Sequence, residues 1–406
     1  MLINKQLKKS IFFKSDENNQ NINKNIDIIS SENNNIDNND HQKKHTENQI
    51  VIKKAEYYKP ILAVLNRHKP RRIPIWFMRQ AGRYLPEYRE LRKGFKSFID
   101  MCLNKDASVT AALQPLERFD LDGGIVFSDI MILLYALGIK VDFIEGEGPI
   151  VGQLGKDYQV NDFKKYKLND EVIEKVVIAI KLLSAVIKFT HPNVTLIGFA
   201  GAPWTLFCYM LEGKKSSNFF NALRFLYENY EDSISILNIL SDHIVNYLSY
   251  QIEAGVEVVK IFDTWAGIVP FRLSRAVIFN PIKNIVSKLK TLHPNIPIIV
   301  FPKGISNQYT KFSMYEVSAV AVDGTADVEI KNIAFYDRCA IQGNIDNILL
   351  TAKHDNETMI KIIAHAYHLL KNVPTDRLIV NTSHGLLPQT SIANVEFLIS
   401  IVRSYR

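Results

Sequence analysis

Arg79 and Arg83 flank Gly82 in the stretch from Pro74 to Glu90. A planar guanidinium grips a carboxylate through two parallel hydrogen bonds, so such a pair suits a ligand with more than one acid group. Glycine between them lets the backbone turn or approach something closely. The stretch begins apolar and β-prone through Phe77, turns basic, and then presents Pro86, whose missing N–H costs nothing at the first position of a helix. The expected order is strand, loop, helix, with both arginines at the carboxyl end of the strand. A basic strand end facing water is the alternative for the pair taken alone.

Polar groups recur at the ends of later apolar runs. They are Phe127-Ser128-Asp129, Phe199 to Thr205 with Tyr209 beyond, Asp263-Thr264-Trp265, Pro302-Lys303-Gly304, Asp323-Gly324-Thr325, Gly343 to Asp346, and Asn381 to Gly385. Each has a plainer reading. Ser128-Asp129 could cap a helix, Tyr209 could be a core tyrosine with a satisfied hydroxyl, and His384 could belong to a turn. Asp323, Asn344 and Asp346 suit loop caps, and Trp204 and Trp265 suit packing. Convergence on one rim is what would turn these residues into a site.

The elements that must position them alternate. Eight strand candidates stand at Ile73–Met78, Gly123–Phe127, Val194–Ala200, Val256–Phe262, Ile296–Phe301, Val317–Val322, Cys339–Gly343 and Leu378–Asn381. Most are continuous apolar runs, as for strands buried on both faces. Between them lie helical spacings, such as Val172, Val176, Ala179, Ile180, Leu183 and Ile187, or Ile236, Leu237, Leu240, Ile244, Tyr247, Leu248 and Ile252. Repeated β-then-α units predict one α/β domain, a single (β/α)₈ barrel over residues 56–406, with the site at the carboxyl ends of the strands. An open doubly wound sheet is the alternative, and no GxGxxG motif follows the first strand. Residues from Lys140 to Gly155 read as a hairpin-like excursion.

The chain has 406 residues, 47% hydrophobic and 22% charged, with net charge +7. That balance suits an acidic substrate, and no recognised nucleic-acid module accompanies it. No apolar run reaches the ~18 residues of a membrane span. Cys102, Cys208 and Cys339 lie too far apart for a metal-type pair and suggest a reducing compartment. Residues 1–55 differ in kind: asparagine makes up roughly a quarter of the first fifty residues, interleaved with Lys, Asp and Glu. They read as a disordered extension. Lys5, Lys8, Lys9 and Lys14 around Ile11-Phe12-Phe13 suit a weak organelle-targeting segment, and a tail without an address fits equally.

The block Trp76 to Glu90 resembles, nearly residue for residue, the amino-terminal signature of the uroporphyrinogen decarboxylases. Gly198 to Leu206 with Tyr209 to Gly213 resembles their second signature. Phe127 to Ile130, Phe262 to Gly267, Gln342 to Asp346 and Asn381 to Gly385 match further blocks in the same order. The resemblance spans about residues 56 to 404. It implies a (β/α)₈ homodimer that removes four acetate carboxyls from uroporphyrinogen III to give coproporphyrinogen III in haem and porphyrin biosynthesis. No metal or organic cofactor, nucleic acid or membrane is implied, and the compartment is plastid or cytoplasm. Position by position, Arg79 and Arg83 would hold substrate carboxylates, Gln80 would join them in binding substrate, and Asp129 would sit at the centre, receiving the pyrrole N–H groups. Tyr209, Thr264 and His384 would line the cleft, and Phe199 would pack on the macrocycle. Asp129, Tyr209, Arg79 and Arg83 would carry catalysis.

This sequence departs from the pattern at Thr264, where serine is usual, at Gly324, where tryptophan is frequent, at Pro302, and at Asn347, where proline is usual. Met131 to Tyr135 is also looser than the family's segment. A zinc- and corrinoid-linked methyltransferase and a non-catalytic tetrapyrrole-binding barrel are the rival readings. The first needs clustered thiolate and imidazole ligands. The second would bind porphyrin without turnover.

Overall fold

The computed structural model describes residues 58–144, 147–328 and 333–405. The asparagine-rich extension, with its expected disorder and targeting character, lies outside the described residues.

The strands are β1 (Gly123–Ile125), β2 (Val141–Ile144), β3 (Gly148–Val151), β4 (Thr195–Gly201), β5 (Val258–Asp263), β6 (Ile298–Pro302), β7 (Ala319–Ala321), β8 (Ala340–Ile345) and β9 (Leu378–Thr382). Seven form one parallel sheet in the order β1-β4-β5-β6-β7-β8-β9, while β2 and β3 pair separately and antiparallel. That pair is the hairpin expected after Lys140. Phe143 on it packs edge-on against Phe98 at 4.8 Å.

The ring of strands closes through the segment around Ile75. Val380 N–H donates to the Pro74 carbonyl at 2.8 Å, Trp76 N–H to the Val380 carbonyl at 3.3 Å, and Asp122 N–H to the Ile75 carbonyl at 2.9 Å. The full strand expected over Ile73–Met78 is thus reduced to a single bridge, Ile75 with Val380. Pro74 has no N–H to give. The Ile75 N–H goes to the Asp122 carboxylate, at 2.8 Å, and not to a ladder. Asp122 is fully buried and also receives Arg72 at 2.6 Å and Arg403 at 2.8 Å, so one carboxylate pins this end of the barrel.

Alternation along the strands sorts the side chains. Ile197, Val258, Ile299, Phe301, Ala319, Ala321, Ala340 and Ile379 share one buried cluster with Trp76 and Met78 inside the barrel. The short helix Pro60–Leu65 adds Ile61, Val64 and Leu65 to that same cluster. Outward-facing strand residues pack under the helices. Asp170–Thr190 and Tyr230–Glu253 are helical as their spacing predicts, and the first is capped by the Asn169 side chain. No helix among the described residues is long and apolar enough to cross a membrane.

Candidate active site

The loop after the first strand segment is held in place before any ligand arrives. Gln80 is buried, with its amide donating to the Gly123 carbonyl at 3.0 Å while its Oε1 accepts the Phe77 N–H at 3.2 Å. The Tyr84 hydroxyl donates to the Gln80 carbonyl at 2.8 Å. The amide that the resemblance assigns to substrate is therefore engaged on the protein's own backbone, and it braces the loop that carries the arginines. Arg89 adds bonds to the Arg83 and Tyr84 carbonyls, at 2.8 and 3.1 Å. Pro86 opens the helix Pro86–Lys93, as expected.

On this frame Arg79 takes a left-handed backbone, φ 58°, a conformation uncommon for a residue with a side chain. Both Arg79 and Arg83 are exposed. The Met78 carbonyl receives the Leu386 N–H at 2.9 Å, and the Met78 N–H reaches Asn381 Oδ1 at 3.2 Å. These bonds tie the arginine loop to the loop after β9, where His384 stands.

Asp129 follows β1. Its Oδ1 accepts the Met131 N–H at 2.9 Å, a local turn bond, while the helix that follows, Ile132–Ala136, has no side-chain cap. It retains some open surface although it lies deep among protein atoms. Burial holds its carboxyl above the ordinary range, with the Met131 N–H and the Arg79 charge pulling it back. Tyr209, on the helix Pro203–Glu212, is buried, and burial pushes its hydroxyl up to about 12, with Trp265 and Arg79 opposing and Asp129 reinforcing. Tyr209 is thus a firmly protonated donor whose ring lies 5.7 Å from Phe219 and 6.4 Å from Trp265.

His384 is driven the other way. Burial first, and then Arg79, Lys303 and Lys215, lower its imidazole to about 3, so it is neutral at physiological pH. Its ring is 6.3 Å from Phe301, Phe301 is 6.1 Å from Phe262, and Phe262 is 5.5 Å from Phe199. Four rings from β4, β5, β6 and the loop after β9 make a continuous aromatic floor, joined edge-to-face or tilted, with Phe301 itself buried. Thr264 follows β5 and is half-buried. Beside it, Asp263 turns outward and takes the Thr205 hydroxyl at 2.6 Å, and burial raises it to about 7 despite that bond.

Several residues that sequence reading left out of the site belong to this rim. Phe262 and Phe301 face each other in register on adjacent strands, a relation readable only once the two strands are aligned. Lys303 was visible as a polar strand end, but its convergence with Lys215 on His384 was not. Tyr247, at helical spacing, reads as core, yet its hydroxyl is linked to Ser128 beside Asp129. Asp323 and Asp346 are loop caps: Asp323 receives Thr325 N–H at 2.8 Å and Asp346 receives Ile348 N–H at 2.9 Å. Trp204 and Trp265 serve packing, Trp204 Nε1 bonding the Trp265 carbonyl at 3.0 Å.

A parallel α/β barrel whose carboxyl-terminal rim sets cations and one recessed carboxylate around an aromatic floor suits a multiply anionic ligand with an apolar body. The chain belongs to the uroporphyrinogen decarboxylase family, whose sequence profile matches residues 57–405. The uroporphyrinogen decarboxylase of Rickettsia canadensis (strain McKiel) is 39% identical over 336 residues, 82% of this chain and 96% of that protein. That of Rickettsia felis is 39% identical over 350 residues, 86% of this chain and 97% of that protein. Among solved structures, a methyltransferase from Methanosarcina mazei shares the fold, with TM-score 0.66, 17% identity, and coverage of 84% of this chain and 97% of that one. At that identity the likeness is one of architecture. Cys102, Cys208 and Cys339 are each buried, and among the described residues no group of three or more His, Cys, Asp or Glu side chains is placed to hold a metal.

Proposed function

We propose that this chain decarboxylates uroporphyrinogen, removing its four acetate carboxyls to give coproporphyrinogen on the route to porphyrins. The observation that carries this is the joining of a cation rim (Arg79, Lys215, Lys303) to an aromatic floor with Asp129 recessed beside it. The eight carboxylates of the substrate need cations at the edge, and the pyrroles of its flexible macrocycle need an apolar floor.

The electrons of the breaking bond have a sink in the substrate itself. Protonation of a pyrrole α-carbon makes the ring cationic. The C–CO₂ bond then breaks, its electron pair neutralises the cationic ring, the exocyclic carbon is reprotonated to a methyl group, and the proton added to the α-carbon leaves, restoring the pyrrole. Asp129 stabilises the cation and the pyrrole N–H groups by preorganised electrostatics, usually the largest catalytic term. A guanidinium is a poor acid because its pKa exceeds about 12. Tyr209, a bound water or a substrate carboxyl delivers the proton. Neutral His384 is an uncharged donor or acceptor, and Thr264 adds a hydroxyl. Arg79 and Arg83 hold carboxylates, Phe199 supports the ring, and Gln80 acts through the loop it braces. The chain works as a homodimer, which light scattering on the purified full chain measures directly.

The deciding experiment is turnover by the full chain with uroporphyrinogen under anaerobic, reducing conditions, followed by oxidation and separation of porphyrins by carboxyl count. Coproporphyrin reached through intermediates of decreasing carboxyl number is expected. Substrate that binds and stays unconverted would replace this reading with the binding-only one.

A further inference from the structure

Beneath the aromatic floor lies a lysine that the reaction above does not use. Lys260 sits in the middle of β5, in register with Phe199 on β4 and Ile299 on β6, and its side chain is fully buried. Its Nζ lies 4.8 Å from the Phe262 ring centroid, 5.0 Å from Trp76 and 5.2 Å from Phe301. Among the described residues Nζ has no hydrogen-bond partner. Two other buried nitrogens lie in the same condition on β8 and β9, strands separated from β5 by β6 and β7: Gln342 Nε2 and Asn381 Nδ2. Their oxygens are used, Gln342 Oε1 by the Trp76 indole N–H at 3.2 Å and Asn381 Oδ1 by the Met78 N–H at 3.2 Å. Trp76 therefore touches both Lys260 and Gln342. Three donors without acceptors inside one barrel are an unbalanced set, since buried polar groups are nearly always paired. The β7 and β8 side of the interior is lined by Ala319, Ala321 and Ala340, where barrels usually carry bulky branched residues.

We propose that Lys260 is a carbon dioxide acceptor, forming a carbamate whose oxygens are received by the free amide donors of Gln342 and Asn381. Carbon dioxide is small and apolar, and it is the co-product of the decarboxylation proposed above, on which the source of the gas rests. The step balances without a redox partner. The Nζ lone pair attacks the carbon of CO₂, an N–C bond forms, one C=O π pair becomes an oxygen lone pair, and one N–H proton leaves to water or bicarbonate. An unprotonated amine is required, and burial pulls the Lys260 ammonium well below its ordinary range. The carbamate supplies the missing acceptors: one anion with two oxygens answers two amide donors.

The test supplies the gas from outside and so does not depend on turnover. The full chain is equilibrated with isotopically labelled bicarbonate at mildly alkaline pH and read by carbon NMR. One slowly exchanging carbamate resonance per chain is expected, lost on removing CO₂ and absent from Lys260→Met. Identical spectra for the two proteins overturn the proposal, leaving Lys260 as a structural amine in an aromatic cage. Should Lys260→Met not fold, a crystal of the wild-type chain equilibrated with bicarbonate decides: a planar carboxyl group bonded to Nζ supports the site, and a bare amine sinks it. Loss of decarboxylase activity with the carbamate present would instead count against the function proposed above.

Discussion

The Arg79 side chain lies across the face of Gly385. A Cβ built on Gly385 would come within 2.5 Å of Arg79 Cδ and 2.7 Å of its Cγ, so the arginine occupies the space that any other residue would fill. The glycine in the loop after β9 thereby sets where the guanidinium from the loop after the first strand segment can reach.

Gly385→Ala is expected to fold and to misplace Arg79. A shift of this size costs on the order of 10²-fold in kcat/KM when it moves a positioning group. Steady-state kinetics with uroporphyrinogen, beside circular dichroism, check it. Unchanged kcat/KM would mean that the arginine does not bind substrate from this position.

Asn347 stands where the family usually has proline, and it has a structural use here. Its Nδ2 donates to the Gly385 carbonyl at 3.1 Å and its Oδ1 accepts the Ser383 hydroxyl at 3.1 Å. Asn347→Ala strands buried partners in the His384 loop and should destabilise the fold by about 1–3 kcal/mol. Denaturant unfolding measures this. A loss well under that range would show the loop to be held by other contacts.

Asp129→Asn keeps the shape and removes the charge. It should retain the thermal midpoint and lose on the order of 10²-fold or more in kcat. A variant turning over within a factor of two of wild type rules out the central-carboxylate role.

His384 makes stability depend on pH in a defined direction. Unfolded, its imidazole titrates near ~6.5, whereas folded it is held down to about 3, chiefly by burial. The unfolded chain therefore binds the extra proton first as pH falls. The stability tied to the neutral ring is complete above the unfolded value and drains away as pH drops toward the folded one. His384→Asn should flatten the acid limb of unfolding midpoints measured from pH ~4 to ~7. Parallel curves for the two proteins would contradict a neutral buried imidazole.

Asp263 carries the opposite sign. Its folded value of about 7 exceeds the unfolded one, because burial outweighs the Thr205 bonds. Its contribution is fully present below the unfolded carboxyl range and is lost as pH rises toward about 7. The stability of Asp263→Asn relative to wild type should therefore increase across that window. A pH-independent difference would show that the carboxyl is ionised throughout.

Much of this protein was legible in its residues. Near-continuous apolar runs such as Val194–Ala200 are what strands buried on both faces require, and the helical spacing from Ile236 to Ile252 needs no tertiary information. The signature from Trp76 to Glu90, with the polar strand ends in order, pointed to the family. Those signals are local: a run of residue types at a set period, or a string of neighbours.

Only the tertiary structure decided what depends on residues distant in sequence. Ile73–Met78 has strand composition, but Pro74 lacks an N–H and Asp122 captures that of Ile75, so the strand shrinks to one bridge. Gln80 follows Arg79 directly in the chain, yet its amide closes on the Gly123 carbonyl from another strand. Phe262 and Phe301 become a floor through strand register, and Lys260 meets Trp76 only inside the closed barrel. Register, burial and the pairing of polar groups are properties of the assembled ring, where each side chain's partner is chosen by geometry across strands and not by its place along one.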